Sequence, residues 1–129
     1  MLWYVAIGGA LGSVARVSLG GVVQRSTATA FPWGTLVVNV AGCLLIGFLM
    51  RYFAEAAAAS PSVRALVTAG FCGGFTTFST FSYETIALLD QGDWRRALWY
   101  AGLSVGVSLL ATVAGIALAR PVALLAQGQ

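Results

Sequence analysis

Gly70-Phe71-Cys72-Gly73-Gly74-Phe75-Thr76-Thr77-Phe78-Ser79-Thr80-Phe81-Ser82 sits in the middle of a hydrophobic segment long enough to cross a bilayer. Three glycines and five hydroxyl residues in thirteen positions make a poor lipid-facing helix. Backbone that leaves the helix at membrane depth is tolerated only where protein buries it or where it lines a wet cavity. The stretch therefore predicts a helix broken in mid-membrane, with the chemistry of the chain concentrated at the break. Small polar side chains alternate there with phenylalanines, and Phe78 and Phe81 stand one turn apart.

Working outward, the whole chain has the composition of an integral membrane protein. Of its 129 residues 59% are hydrophobic and 9% charged, and the mean hydropathy is +0.88. Four stretches of about 20 or more mostly apolar residues are present, near Leu2 to Val23, Gly34 to Phe53, Val63 to Leu89 and Arg95 to Ala119. The connectors between them run from Ser26 to Pro32, from Ala54 to Ser62 and over Asp90-Gln91-Gly92-Asp93. Such short loops predict up-down antiparallel neighbours, and residues 1–129 read as one four-helix transmembrane domain. Trp3, Trp33, Trp94, Trp99 and Tyr52 fall near span ends, where aromatic rings favour the interface. Ser60 and Pro61 read as N-cap and first turn of the third helix. The alanine run Ala56 to Ala59 reads as a helix end or turn. The apolar N-terminal stretch has no basic flank or small-residue cleavage signal and reads as a retained first span.

No histidine is present, and Cys43 and Cys72 both fall in apolar segments, which argues against a metal cluster or a disulfide framework. The net charge of +3 is carried by scattered arginines, so nucleic acid is not an expected partner. Arg51, Arg64 and Arg120 would share one membrane face, and Arg25, Arg95 and Arg96 the other. Such a balance gives no orientation by the positive-inside rule. Either the span ends differ by a few residues, or the chain inserts both ways up and pairs as an antiparallel dimer.

Several residues within the spans ask for a polar environment. Arg16 lies mid-way along the first span, where a charge normally faces protein or water. It serves there either as a structural pair or as an anion-attracting group in a vestibule. Gly8 and Gly12 stand at G-x-x-x-G spacing, which permits close helix approach. Asn39, one turn beyond Thr35, offers uncharged amide donors, suited to an anion path or to inter-helix hydrogen bonding. Tyr100, Ser104, Ser108 and Thr112 recur every fourth residue, a hydroxyl stripe more than about 15 Å long. Such a stripe either lines a pathway or bonds back onto its own helix. Glu84 is the one carboxylate deep within a span. Glycines in the break expose carbonyl oxygens of the kind that coordinate cations in discontinuous membrane helices. A proton-coupled drug exporter of similar size would need a carboxylate in its first span, where this chain has Arg16. A scaffold would use the same polar residues only as glue.

Taken together, Gly8-Gly9 through Arg16, Gly34-Thr35-Leu36-x-x-Asn39-x-x-Gly42, and Gly70 through Ser82-x-Glu84 resemble the Fluc (CrcB) family of fluoride channels, along essentially the whole chain. The resemblance implies an all-α, dual-topology antiparallel homodimer in the plasma or inner membrane, with passive fluoride pores and no enzymatic activity. It further implies a structural Na⁺ held by main-chain carbonyls of Gly73 and Thr76 from both subunits. Phe78 and Phe81 would match the pore aromatics, Asn39 the pore asparagine, and Tyr100, Ser104, Ser108 and Thr112 the polar track. Ser79, Thr80 and Glu84 would complete the fluoride pathway, and Arg16 would stand at its vestibule. Phe75 stands where the family often has leucine, a change expected to be neutral.

Overall fold

A computed structural model describes residues 1–56 and 59–128. Of the alanine run, Ala57 and Ala58 lie outside the described residues. The described residues form helices α1 (Leu2–Thr27), α2 (Trp33–Ala56), α3 (Pro61–Ala65), a π-helical stretch (Leu66–Cys72), α4 (Gly73–Phe75), α5 (Phe78–Asp90) and α6 (Trp94–Gln127). Helices α1, α2 and α6 are each long and apolar enough to cross a membrane, with mean hydropathies of 1.5, 1.9 and 2.0. Their outward side chains are bare hydrocarbon. Val14, Leu110 and Leu125 are 66%, 69% and 75% exposed, a surface that lipid rather than water would cover. The chain is a multi-pass membrane protein.

The third apolar segment, read from sequence as Val63 to Leu89, is the run from α3 to α5. Ser60 caps it, accepting the Val63 N–H through its side chain at 3.3 Å, and Pro61 occupies its first turn, as expected. Helical geometry stops at Phe75. Thr76 (φ −85°, ψ 154°) and Thr77 (φ −149°, ψ 112°) are extended, and the helix restarts at Phe78. Extended backbone suits threonine, whose branched Cβ loses rotamer freedom in a helix.

Two contacts made at glycine hold the bundle at close range. α1 lies against the π-helical stretch so tightly that a Cβ on Gly8 would strike the Leu66 carbonyl, and one on Gly12 the Phe71 carbonyl. The G-x-x-x-G face therefore serves the third span of the same chain. α2 and α6 cross in the same manner, Gly47 meeting the Thr112 backbone and Gly115 the Leu44 carbonyl. A compact cluster of Leu36, Leu88, Ala97 and Tyr100, flanked by Phe31, Val40, Phe81 and Leu103, joins α2, α5 and α6 at one end.

Three span ends differ from the sequence reading. α1 continues past Val23 to Thr27. α2 continues to Ala56, which brings Arg51 inside the helix as the i,i+4 partner of Glu55. α6 does not end near Ala119 but runs through Arg120 and Pro121 to Gln127. Proline removes one helical hydrogen bond. Packing keeps the helix going regardless: Ala119 and Ala123 on either side are fully buried, and Gln127 Nε2 donates to the Glu55 carbonyl at 2.5 Å.

Candidate functional site

The break rearranges a set of backbone hydrogen bonds, and side chains from α1 and α2 take them up. In an unbroken helix the Thr77 N–H would reach the Gly73 carbonyl. It donates instead to Asn39 Oδ1 at 2.7 Å, while Asn39 Nδ2 donates to the Thr77 carbonyl at 3.1 Å. One carboxamide thus pairs with both main-chain groups of one extended residue. The Gly74 carbonyl accepts from Arg16 Nε at 3.1 Å and from Ser13 Oγ at 3.4 Å. The Thr80 N–H, which would otherwise reach back to Thr76, donates to Thr77 Oγ1 at 3.2 Å and so caps α5. The carbonyls of Gly73, Phe75 and Thr76 are left with no donor among the described residues. A Cβ on Gly73 would meet nothing within 4 Å, so Gly73 itself borders open space. Neutral carbonyl oxygens without donors are of the kind that suits a hard cation such as Na⁺. The described residues hold no His, Cys, Asp or Glu cluster suited to a metal.

Two clefts meet at Thr77. The first, of about 410 Å³, is lined by Arg16, Gln24, Thr35, Thr77, Thr80 and Glu84 among others. Glu84 is held from two sides: Thr35 Oγ1 donates to Oε1 at 2.9 Å, and the Tyr100 hydroxyl donates to Oε2 at 2.5 Å. Arg16 makes no ion pair among the described residues. With its Nε on the Gly74 carbonyl, Arg16 lines the same cleft as Glu84, a cation and a carboxylate that do not pair.

The second cleft, of about 290 Å³, is lined by Asn39, Phe78, Phe81, Ser104, Ser108 and Thr112, together with Cys43 and the two extended threonines. No lining residue is charged. Ser104 Oγ is buried and without a hydrogen-bond partner. Thr112 Oγ1 bonds back to the Ser108 carbonyl at 3.1 Å, the local alternative open to helical hydroxyls. The Phe78 and Phe81 rings lie 5.5 Å apart, and Phe81 meets Tyr100 edge-on at 5.3 Å. Phe78 is 78% exposed, so the cleft is open on that flank.

Most of the residues singled out from the sequence thus converge on these two clefts. Tyr100 does not: it is fully buried, lines neither cleft, and touches their linings through Glu84 and Phe81. Ser79 also lies outside both, its hydroxyl 3.2 Å from Thr77 Oγ1. Sequence reasoning passed over Gln24, Ser13 and the thiol of Cys43 as members of the site. Gln24 falls two residues before the short, glycine-free connector Ser26 to Pro32, and nothing in its spacing signals the role described below.

The profile of the family described as CrcB-like protein, Camphor Resistance (CrcB) matches residues 3–116. The chain is similar to the fluoride-specific ion channel FluC of Rhizobium meliloti (strain 1021), 49% identical over 116 residues that cover 90% of this chain and 93% of that protein. Likewise similar are the proteins of the same name from Geobacter sulfurreducens, 48% identical over 90% of this chain and 94% of the relative, and from Flavobacterium psychrophilum, 43% identical over 92% and 96%. With the match spanning all four apolar segments and both clefts, the chain belongs to the CrcB family.

Proposed function

We propose that this chain is one subunit of a passive fluoride channel in the plasma membrane, formed by two copies lying antiparallel, and that it is not an enzyme. Its relatives are named fluoride-specific ion channels. The observation that best supports the reading is the uncharged cleft along α6, in which the buried Ser104 hydroxyl has no protein partner beside Asn39, Phe81 and Ser108. Fluoride is small, strongly hydrated and a strong hydrogen-bond acceptor. A pore must replace its water with donors that nearly balance that loss without trapping the ion. Hydroxyls, a carboxamide N–H and the positive edges of phenylalanine rings meet that condition. Chloride, larger and a weaker acceptor, gains less from the same donors. Arg16 in the first cleft raises the local anion concentration at the entrance.

The assembly follows from what one chain lacks. Phe78, Val105 and Leu109 line the cleft yet are 78%, 54% and 64% exposed, so a second copy would supply the missing wall. The run Pro61–Phe75 and α5 are each about 20 Å long at ~1.5 Å per residue. Each is shorter than the ~30 Å hydrocarbon core, which puts the Thr76–Thr77 break inside the bilayer. In an antiparallel pair two such breaks meet. The free carbonyls of Gly73 and Thr76 from both copies would then hold a structural Na⁺, whose charge would tie the two chains together. Lipid covers the remaining apolar surface.

Purified protein in liposomes loaded with both halides provides the test. Fluoride, followed with an electrode, is expected to leave rapidly while chloride stays, and Phe78→Ile or Asn39→Asp abolishes the release. Folded protein that releases no fluoride, or that releases chloride equally fast, contradicts the proposal. Ser104→Ala separates conduction from folding. Deleting a buried hydroxyl that has no partner leaves unfolding temperature unchanged or slightly raised, while the rate of fluoride release falls.

A further inference from the structure

The mouth of the first cleft is built by the turn between α1 and α2, and a single side chain organises that turn. Gln24 Nε2 donates to the carbonyls of Thr29 at 2.9 Å and Phe31 at 3.1 Å, while its Oε1 accepts the Gly34 N–H at 3.0 Å. Its main-chain carbonyl also accepts the Ala28 N–H at 3.3 Å and the Thr27 hydroxyl at 3.1 Å. Both amide hydrogens and the amide oxygen are therefore engaged. The turn needs such a clamp, because Ala28 adopts the left-handed conformation (φ 48°, ψ 35°) that non-glycine residues disfavour.

From Gln24 two short routes lead to the same carboxylate. Gly34, bonded to Oε1, directly precedes Thr35, whose hydroxyl donates to Glu84 Oε1. Phe31, whose carbonyl accepts from Nε2, packs its ring edge-on against Tyr100 with centroids 5.6 Å apart at 75°, and Tyr100 donates to Glu84 Oε2. The two donors that fix Glu84 are thus each one contact away from a group that Gln24 holds. Arg16 lines the same cleft as Glu84 without pairing to it.

We infer that Gln24 is a positioning residue: by clamping the α1–α2 turn it keeps Thr35 and Tyr100 on Glu84, and so keeps that carboxylate from neutralising Arg16 in the same cleft. A neutral amide is required. A carboxylate at this position would lose both donors to Thr29 and Phe31, and a methyl group would lose all three side-chain bonds. The inference rests on the channel reading for its flux readout alone.

The test labels the four tyrosines of the full-length protein with ¹³C at Cζ, a carbon whose chemical shift follows the hydrogen bond its hydroxyl donates. Tyr100→Phe assigns the Tyr100 signal, and Glu84→Gln marks where it moves when the acceptor changes. Gln24→Ala and Gln24→Glu are expected to move Tyr100 off its wild-type position while Tyr4, Tyr52 and Tyr83 stay in place. Fluoride release falls by about tenfold or more, the scale of the electrostatic focusing that a neutralised Arg16 would lose. In a Glu84→Gln background, Gln24→Ala adds no further loss. Gln24→Glu keeps the length of the side chain and the acceptor for Gly34, and decides the matter should the alanine variant not fold. A Tyr100 signal unmoved in the folded variants overturns the inference, as does a shift of all four tyrosines, which marks general loosening. Wild-type protein without fluoride release sinks the channel reading instead, and the Tyr100 signal still judges Gln24.

Discussion

Asn39→Ala is expected to abolish fluoride release and to destabilise the folded chain by roughly 2–6 kcal/mol, the sum of two main-chain groups left unpaired at about 1–3 kcal/mol each. Both bonds of the carboxamide go to Thr77, at 2.7 Å and 3.1 Å, and no other described side chain reaches those groups. In the membrane, water cannot take over the bonds cheaply. Thr77 lines both clefts, so a shift there misaligns the two clefts as well. Asn39→Asp resolves the two roles. The carboxylate still accepts the Thr77 N–H, but its second oxygen faces the Thr77 carbonyl, and its charge repels an anion. Fluoride release should therefore disappear with a smaller loss of stability than in Asn39→Ala. Thermal unfolding of both variants in detergent, beside efflux from liposomes, checks the order. Full flux in Asn39→Asp would remove the asparagine from the pathway.

Gly12→Val carries the second large effect, and it acts through packing alone. A Cβ at this position would lie against the Phe71 carbonyl and close to the Phe75 N–H, both backbone groups that cannot turn aside. Overpacking a tight contact costs about 1–3 kcal/mol or more. Here the displaced element also carries Ser13 and Arg16, whose bonds to the Gly74 carbonyl hold one edge of the break. α1 is expected to separate from the π-helical stretch, with loss of the proposed pairing and of fluoride release. Gly73→Ala is the matched control for volume: its Cβ meets nothing within 4 Å inside the chain, so any loss there reports contact with the second copy. Size-exclusion chromatography of the two variants in detergent, followed by efflux, distinguishes a failure of folding within one chain from a failure of pairing between chains.

The parts of the fold that were legible in the sequence are those governed by local composition. Hydropathy marks the spans, Ser60-Pro61 marks the start of the third, and the glycine and threonine density of Gly70 to Ser82 marks where helical geometry stops. Arg16 and Asn39 stood out because each is polar where lipid would exclude it, and both turn out to serve the break. Less legible was anything set by packing between spans. Spacing by four put Tyr100 in one group with Ser104, Ser108 and Thr112, yet a ring larger than a hydroxymethyl is drawn into the cluster of Phe31, Phe81 and Leu88. The hydroxyls alone remain in the cleft. The fourth span was read as ending near Ala119, but the buried Ala119 and Ala123 beside α2 carry the helix through Pro121 to Gln127. The π-helical turns of Leu66–Cys72 have no sequence signature of their own, and Gln24 acquires its partners only when the α1–α2 turn folds over it.

The central claim is that two copies of this chain make a pore that passes fluoride and rejects chloride without coupling to any other ion. A planar bilayer containing the purified protein, with fluoride on one side and chloride on the other, tests it most directly through the potential at which current reverses. Large currents carried from the fluoride side, with a reversal potential driven far toward fluoride and unchanged by a proton gradient, are predicted. Reversal near zero, or a potential that moves with the proton gradient, would contradict the claim.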